Sequence, residues 1–142
     1  MSIHFGRMSK AYAALAVMVE IARKPCLGPI TVAAVAEATG ISASYVEVLG
    51  AKMRRAGLLR SARGPGGGFF LAQRPSDISA LSIVLALEQT EFAPPHWIGT
   101  AKCLLGEIGV LEGAFLQGIS LADLAWRIDA QEAAQRRSAS AA

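Results

Sequence analysis

Residues 42–72, SASYVEVLGAKMRRAGLLRSARGPGGGFFLA, constrain the fold of this 142-residue chain more than any other segment. Val46, Leu49 and Met53 recur in it at the spacing of one buried helix face. Gly57 follows this amphipathic pattern and is a typical helix stop. The first half of the segment therefore predicts a helix with one face in the core and basic residues near its end.

Two short apolar runs follow that helix, at 58–62 and 68–72, on either side of a Gly-Pro-Gly-Gly-Gly tip. Glycine supplies turn conformations that are closed to other residues, so the two runs predict a β-hairpin. A helix followed by such a hairpin is the arrangement in which a winged helix binds DNA. The helix enters the major groove and the wing contacts the DNA beside it.

Two helices are predicted before this segment. Apolar spacing over 8–23 indicates a buried helix, and Thr31 is a suitable N-cap for a second one. Gly40 ends the second helix, and Ser42 caps the third. Helix, tight glycine turn and helix is the helix-turn-helix pattern.

Charge is distributed unevenly along the chain, although the net charge is only +3. Residues 1–74 contain ten Lys and Arg against three Glu, whereas 75–142 contain four Lys and Arg against eight Asp and Glu. A basic amino-terminal half suits a polyanionic partner, because each phosphate contact releases a counterion. The alternative is that both halves simply carry solvated charged faces.

A second helical region follows the hairpin. Pro75 and Ser76 reopen a helix in which Leu81, Val84 and Leu85 indicate an amphipathic face. Two prolines make 92–100 a loop. Ser120 and Asp123 resemble a capping box at the start of a final helix.

A long helix is predicted over 101–117, with an apolar stripe on one face and glycines on another. A glycine inside a helix lowers helix stability by about 1 kcal/mol relative to alanine. Because these glycines share one face, they suggest that another helix approaches the backbone closely there. We expect this helix to form a dimer interface; the alternative is a poorly packed helix whose glycines have no role. The predicted interface residues are Leu104, Ile108, Gly109, Leu111 and Phe115.

Several outward residues of the third helix and the hairpin suit contacts with DNA. Ser44 lies near a helix amino terminus, where a hydroxyl and free N–H groups bind phosphate. Glu47 either accepts a hydrogen bond from a base amine such as cytosine N4 or is an exposed, helix-favouring glutamate. Arg54 and Arg60 contact phosphates or only aid solubility. Arg63 precedes a compact tip that fits a narrow groove.

The motifs SASYVE, KMRRAGLLRS and above all RGPGGGFFLA resemble the BadM/Rrf-type family of winged-helix transcription regulators. Weaker similarity extends from about Arg7 to Leu124. The resemblance implies a mainly α fold with a small β-hairpin wing, and a homodimer that binds a dyad-symmetric operator in double-stranded DNA through its helix-turn-helix. The family's DNA contacts carry over to Ser42, Ser44, Tyr45, Glu47, Arg54, Arg63, Pro65 and Gly66, and we add Arg60.

The resemblance favours Glu47 as a base reader. Val48 departs from the polar residue often seen after that glutamate, so the DNA sequence that is read is expected to differ. We divide the chain into a DNA-binding domain (1–76), a linker loop with dimerisation helices (77–135) and a disordered tail (136–142).

Family members that hold an iron–sulfur cluster use three cysteines, of which only Cys103 has a counterpart here. Such clusters normally take four protein ligands, so we predict no cofactor. The alternative is a labile iron–sulfur cluster held by Cys103 and His96 and shared across the dimer. Cys103 and the nearby His96 remain candidates for a redox or sensor site, and the alternative for Cys103 is packing. Cys26 is expected to be incidental. A small effector that binds near Trp97 is a further alternative.

Other function classes are less favoured. Two histidines, two distant cysteines and no phosphate-binding loop leave nothing from which to assemble an enzyme site. The longest apolar run has nine residues, far short of a membrane span, and a cytoplasmic protein is predicted. A winged-helix interaction or assembly module with nonspecific nucleic-acid anchoring is the alternative to a sequence-specific regulator.

Overall fold

The computed structural model describes residues 3–24, 28–88, 111 and 113–140, with side chains from residue 10 onward and up to residue 87 in the second range. Five helices and one two-stranded antiparallel sheet are named here. They are α1 (Ile3–Arg23), α2 (Val32–Thr39), α3 (Ala43–Arg55), β1 (Leu59–Ala62), β2 (Gly68–Leu71), α4 (Ala80–Glu88) and α5 (Leu121–Ser140), with a 3-10 turn at Pro75–Asp77 before α4.

Helices α2 and α3 form the predicted helix-turn-helix, with 111° between them. The Thr31 hydroxyl caps α2 by accepting a hydrogen bond from the Ala34 N–H at 3.2 Å. Gly40 ends α2, and its N–H donates to the Ala36 carbonyl. Ser42 caps α3 by accepting from the Tyr45 N–H. The sequence predictions for this motif are confirmed.

Helix α3 buries Val46, Leu49 and Met53, as its spacing predicts. The helix ends at Arg55, and Gly57, two residues later, adopts a φ of 75° that favours glycine. The Gly57 N–H donates to the Arg54 carbonyl, and the next N–H donates to the Met53 carbonyl, both at 3.0 Å. These two bonds form a Schellman motif, which turns the chain directly into the hairpin.

Strands β1 and β2 pair in a register that places Leu59 opposite Leu71 and Ala62 opposite Gly68. A third segment joins this sheet, because Ile30 and Phe69 exchange two backbone hydrogen bonds of 2.9 Å. The segment before α2 therefore anchors the hairpin to the helix-turn-helix. No sequence pattern predicted this bridge.

The apolar face predicted for α4 from Leu81, Val84 and Leu85 is wrong. Helix α4 buries Ile83 and Ala86, and Leu85 is 48% exposed. Nearly every residue of α4 is apolar, so periodicity alone cannot select a face. The positions of α1 and α3, which both pack against α4, select it instead.

The core does not stop at residue 76, so the predicted division between 1–76 and 77–135 does not separate two cores. Ile78 and Leu121 are buried in the same cluster as the helix-turn-helix residues. The Leu121 N–H donates to the Ile78 carbonyl at 2.7 Å, and the Ala80 N–H donates to the Ile119 carbonyl at 2.8 Å. The segments before α4 and before α5 are thus joined.

Helix α5 starts at the predicted capping box. The Ser120 hydroxyl accepts from the Asp123 N–H at 3.1 Å, and the Asp123 carboxylate accepts from the Ser120 N–H at 3.0 Å. The predicted disordered tail at 136–142 is wrong for 136–140, because α5 continues to Ser140. Alanine, glutamate, glutamine and arginine dominate its second half, and all four favour helix.

Arg23, at the end of α1, joins α1 to α5. Its guanidinium donates to Asp129 at 2.6 Å and to Glu132 at 2.5 Å on α5, and to Glu20 at 2.7 Å on its own helix. The hydrogen bond to Glu132, followed by those to Asp129 and Glu20, raises the pKa of Arg23 against the opposing effect of desolvation. Arg23 is a cation whose charge is satisfied within the fold.

Part of the predicted helix at 101–117 is described. Residues 113–117 are helical and the helix ends before Gly118, as predicted. Most of this helix and the loop 92–100 lie outside the described residues, and so do the predictions for His96, Trp97, Cys103, Leu104, Ile108 and Gly109. Cys26 also lies outside them, in the segment before α2.

Within the described ranges, no single helix is long and apolar enough to cross a membrane. The bent pair α2 and α3 passes the same test by length and composition alone. Its apolar residues Val35, Val46 and Leu49 are buried against the other helices.

Candidate nucleic-acid interface

Helix α3 presents a polar face opposite its buried one. At about 100° per residue, Ser44, Val48 and Arg55 lie on the side of α3 away from Val46 and Met53. All three outward side chains are exposed. The helix therefore carries a solvent-facing stripe that runs from its amino terminus to its basic last turn.

Helix α3 is fixed against the hairpin by two contacts. The Arg54 guanidinium donates to the Ser61 hydroxyl of β1 at 3.1 Å. The buried Phe69 ring of β2 lies directly against the Gly50 backbone, where any Cβ would overlap it. The wing and the outward face of α3 are thus held in one fixed relation.

The hairpin tip is a tight turn over 64–67. The Gly67 N–H donates to the Gly64 carbonyl at 2.9 Å. Pro65 occupies the second position and Gly66, with a φ of 73°, the third, as in a type II turn. Arg63, Pro65 and Gly66 are all exposed. The tip is therefore narrow and carries one cationic side chain at its base.

The unit formed by 28–76 has an excess of positive charge, with six Lys and Arg against Glu37 and Glu47. None of the six cations forms an ion pair with a carboxylate that the structure describes. Five of the six are exposed and Lys52 is half-buried. These cations remain available to an anionic partner.

The structure places the predicted DNA-contact residues on this one unit. All of these residues except Tyr45 are exposed. Tyr45 is half-buried and packs against the core. Ser42 is exposed, but its oxygen already caps α3. The exposed members of the set are Ser42, Ser44, Glu47, Arg54, Arg60, Arg63, Pro65 and Gly66.

Sequence reasoning missed three residues that position the site, namely Ile30, Gly50 and Phe69. Gly50 has a visible signal, because glycine in the middle of a predicted helix is unfavourable unless something approaches the backbone closely. Ile30 has none, since its bridge joins segments that are 39 residues apart in sequence.

Within the ranges that the structure describes, no group of three or more His, Cys, Asp or Glu side chains is arranged to hold a metal ion. Both cysteines of the chain fall outside those ranges. One chain contains two cysteines and two histidines. It therefore lacks the four cysteine thiolates that hold the common iron–sulfur clusters.

Comparisons with known proteins agree with this geometry. IscR of Aliivibrio salmonicida, an HTH-type transcriptional regulator, is 33% identical over 143 residues, which cover 94% of this chain and 85% of the relative. IscR of Yersinia pestis is 32% identical over 138 residues, covering 91% of this chain and 84% of the relative. These relatives are transcription regulators, not enzymes.

Solved structures of transcription regulators are also similar to this chain. IscR from T. potens has a TM-score of 0.70 at 31% identity, covering 87% of each chain. CymR, the global cysteine regulator of B. subtilis, has a TM-score of 0.69 at 31% identity, covering 83% of this chain and 94% of that one. A profile of the Rrf2 family, described as iron-dependent transcriptional regulators, matches residues 8–127. This winged-helix chain therefore belongs to the Rrf2 family of transcription regulators.

Proposed function

We propose that the chain is a sequence-specific DNA-binding regulator that acts as a homodimer on a dyad-symmetric operator. Helix α3 enters the major groove, and the hairpin tip meets the minor groove. The observation that carries this proposal is a set of largely exposed cations on α3 and the hairpin, two elements that are fixed to each other. These cations form no ion pair with any carboxylate in the described part of the chain.

Each part of the unit has a proposed role. Ser42 and Ser44 lie at the amino terminus of α3, where the helix dipole and free N–H groups favour a phosphate. Glu47, three residues after Ser44, is exposed and accepts a hydrogen bond from a base amine. The remaining contacts are cationic or belong to the wing tip: Arg54 and Arg60 on phosphates, and Arg63, Pro65 and Gly66 at the minor groove.

The homodimer is supported by exposed apolar side chains beyond the winged unit. Leu111, Phe115 and Trp126 are 71%, 68% and 71% exposed in the single chain. A Cβ at Gly113 would meet no atom within 4 Å. Leu111 and Phe115 lie four residues apart on one helix and therefore share a face. Large exposed apolar side chains mark an interaction site, and we assign this one to a second copy of the chain.

Sedimentation analysis tests the dimer. The Phe115→Asp variant should shift the protein toward monomer, because it places a charge in an apolar interface. Gly109→Leu should do the same if helices approach closely at the glycines. A matched change at exposed Ala139 on α5, Ala139→Asp, should leave the dimer intact. Dimers that persist in both interface variants would contradict the assignment.

In vitro selection from a random duplex pool tests the function itself. The wild type should enrich a dyad-symmetric sequence, and Glu47→Ala should relax the preference at one position of each half-site. Asp77→Ala removes an exposed carboxylate outside α3 and serves as the control. An unchanged preference with Glu47→Ala would remove Glu47 as a base reader.

The alternative is a winged-helix interaction module that holds nucleic acid without reading it. Such a module should show salt-dependent binding and enrich no sequence. The same selection experiment therefore separates the two functions, since only a regulator yields a preferred site.

The cofactor prediction has its own test. Protein purified without oxygen should be colourless and free of stoichiometric iron and sulfide, because one chain does not supply a four-thiolate set. A coloured, iron-containing protein would show that Cys103, with His96 or a partner's thiol, holds an unusual cluster. A colourless protein that still selects DNA would direct attention to Cys103 oxidation or a small effector.

A further inference from the structure

Val48 is an apolar, β-branched side chain in the middle of the polar outward face of α3. It is 50% exposed, and the charged Glu47 and Arg55 are exposed on the same side of the helix. Ser44 lies one turn before it and half-buried Ala51 about one turn after it. Among the described residues, Val48 belongs neither to the buried core cluster nor to the partly buried side chains packed against it.

The chemistry of Val48 restricts what it can recognise. Valine has no side-chain hydrogen-bond donor or acceptor, so it cannot read the polar edges of guanine, adenine or cytosine. Thymine is the one base that presents a methyl group in the major groove, and apolar side chains recognise it by van der Waals contact. The two properties match.

The position of Val48 makes such a contact accessible. Consecutive helix residues differ by about 100° and 1.5 Å along the axis, so Val48 lies beside Glu47 on the exposed surface. A side chain beside the proposed base-reading carboxylate meets the same or a neighbouring base pair. Its β-branched shape also restricts χ1, which keeps the two methyl groups in place.

Resting on the proposed function, we propose that Val48 is a specificity-determining residue that reads the C5-methyl group of one thymine in each half-site. This thymine lies next to the base pair that Glu47 reads. Val48 should make the same methyl contact with 5-methylcytosine, because that base also carries a methyl group at C5.

The test uses the full-length protein and its selected duplex. Each thymine is replaced singly by deoxyuridine, which removes only the methyl group, and the Kd is measured by fluorescence anisotropy. At one thymine of each half-site, uracil should weaken wild-type binding by roughly threefold to fourfold, the effect of about one buried methyl group. All other thymines should be insensitive.

The Val48→Ala variant should bind uracil and thymine equally at that position, because alanine no longer reaches the methyl group. Circular dichroism checks that the variant is folded, which is expected since Val48 lies outside the core. Arg63→Ala is the matched control, and it should weaken both duplexes while preserving the thymine-to-uracil ratio. A second pair of duplexes carries cytosine or 5-methylcytosine at the same position. The wild type should bind the 5-methylcytosine duplex more tightly than the cytosine duplex, and Val48→Ala should bind the two equally.

The outcomes separate this proposal from the function on which it rests. A preferred site whose thymine-to-uracil ratios are identical in the wild type and Val48→Ala would overturn the role of Val48 and leave the regulator intact. A pool that yields no preferred site would overturn both. A uracil effect that persists in Val48→Ala would assign the methyl contact to another residue.

Discussion

The α3–hairpin unit and the α1–α5 contact differ in how they use charge. The hairpin is fixed to α3 mainly by packing and backbone pairing, through Gly50, Phe69 and Ile30, and the cations of this unit form no ion pair within the described residues. The α1–α5 contact instead surrounds Arg23, whose side chain is 17% exposed, with three carboxylates. Cations that the fold satisfies serve stability, and cations that it leaves unsatisfied are available for an anionic ligand.

The largest expected effect concerns the packing of the hairpin on α3. Gly50→Leu should lower the free energy of unfolding by about 3 kcal/mol, because even a Cβ at this position overlaps the buried Phe69 ring. Chemical denaturation monitored by circular dichroism measures it. Gly113→Ala is the control, since its Cβ enters open space, and it should stabilise the helix by up to ~1 kcal/mol. Wild-type stability in Gly50→Leu would contradict the packing role.

Arg23→Ala tests the ion pairs that join α1 to α5. We expect the free energy of unfolding to fall by about 1–2 kcal/mol, because three hydrogen-bonded carboxylates lose their common partner. Affinity for the selected duplex should stay within about twofold of the wild type once the protein is folded. Arg137→Ala, which removes an exposed arginine bonded only to its own helix, should change neither quantity. A large loss of DNA affinity in folded Arg23→Ala would show that Arg23 contributes to DNA binding as well as to stability.

Arg63→Ala should have the reverse profile, with unchanged stability and weaker DNA binding. A cation in the minor groove displaces counterions from the DNA, so its loss should reduce the slope of log K against log salt by up to about 0.9. The measurement is a salt titration of the wild type, Arg63→Ala and Arg137→Ala with the same duplex. Identical slopes for all three proteins would show that Arg63 displaces no counterion from the DNA.

The smallest effect is expected at the capping box of α5. Hydrogen bonds from Ser120 lower the pKa of Asp123 below its ordinary value of 3.8 in the folded chain. A carboxyl whose pKa is lowered by folding stabilises the protein above its unfolded pKa, and this contribution is lost as the pH falls through the folded value. Asp123→Asn should therefore lower the Tm slightly at pH 7 and less at pH 3. An equal decrease at both pH values would mean that the charge of Asp123 is irrelevant.

Local patterns predicted local structure well. The spacing of Val46, Leu49 and Met53 gave the buried face of α3, and Gly57 gave its end, because both depend on interactions within one turn. The wing tip was recognisable for the same reason. All the residues predicted to contact DNA lie on one unit of the structure.

Features that depend on distant parts of the chain were not predictable. Arg23 is 106 and 109 residues from Asp129 and Glu132, and no motif connects them. The face of α4 depends on neighbouring helices, and its nearly uniform apolar sequence carries no directional signal. The tail prediction failed because charged and small residues were taken as disorder, although they also favour helix.

The bridge between Ser79 and Ser120 has an evolutionary consequence. Its backbone bonds bring the residues that precede α4 and α5 together at one place, although 40 residues lie between them. Helix α4 belongs to the core through Ile83 and Ala86, so the bridge and α4 fix where the chain enters the rest of this segment. The entropy of closing a loop grows only slowly with its length. A lineage with this architecture can therefore lengthen or shorten the chain after α4 at little cost to the stability of its helix-turn-helix.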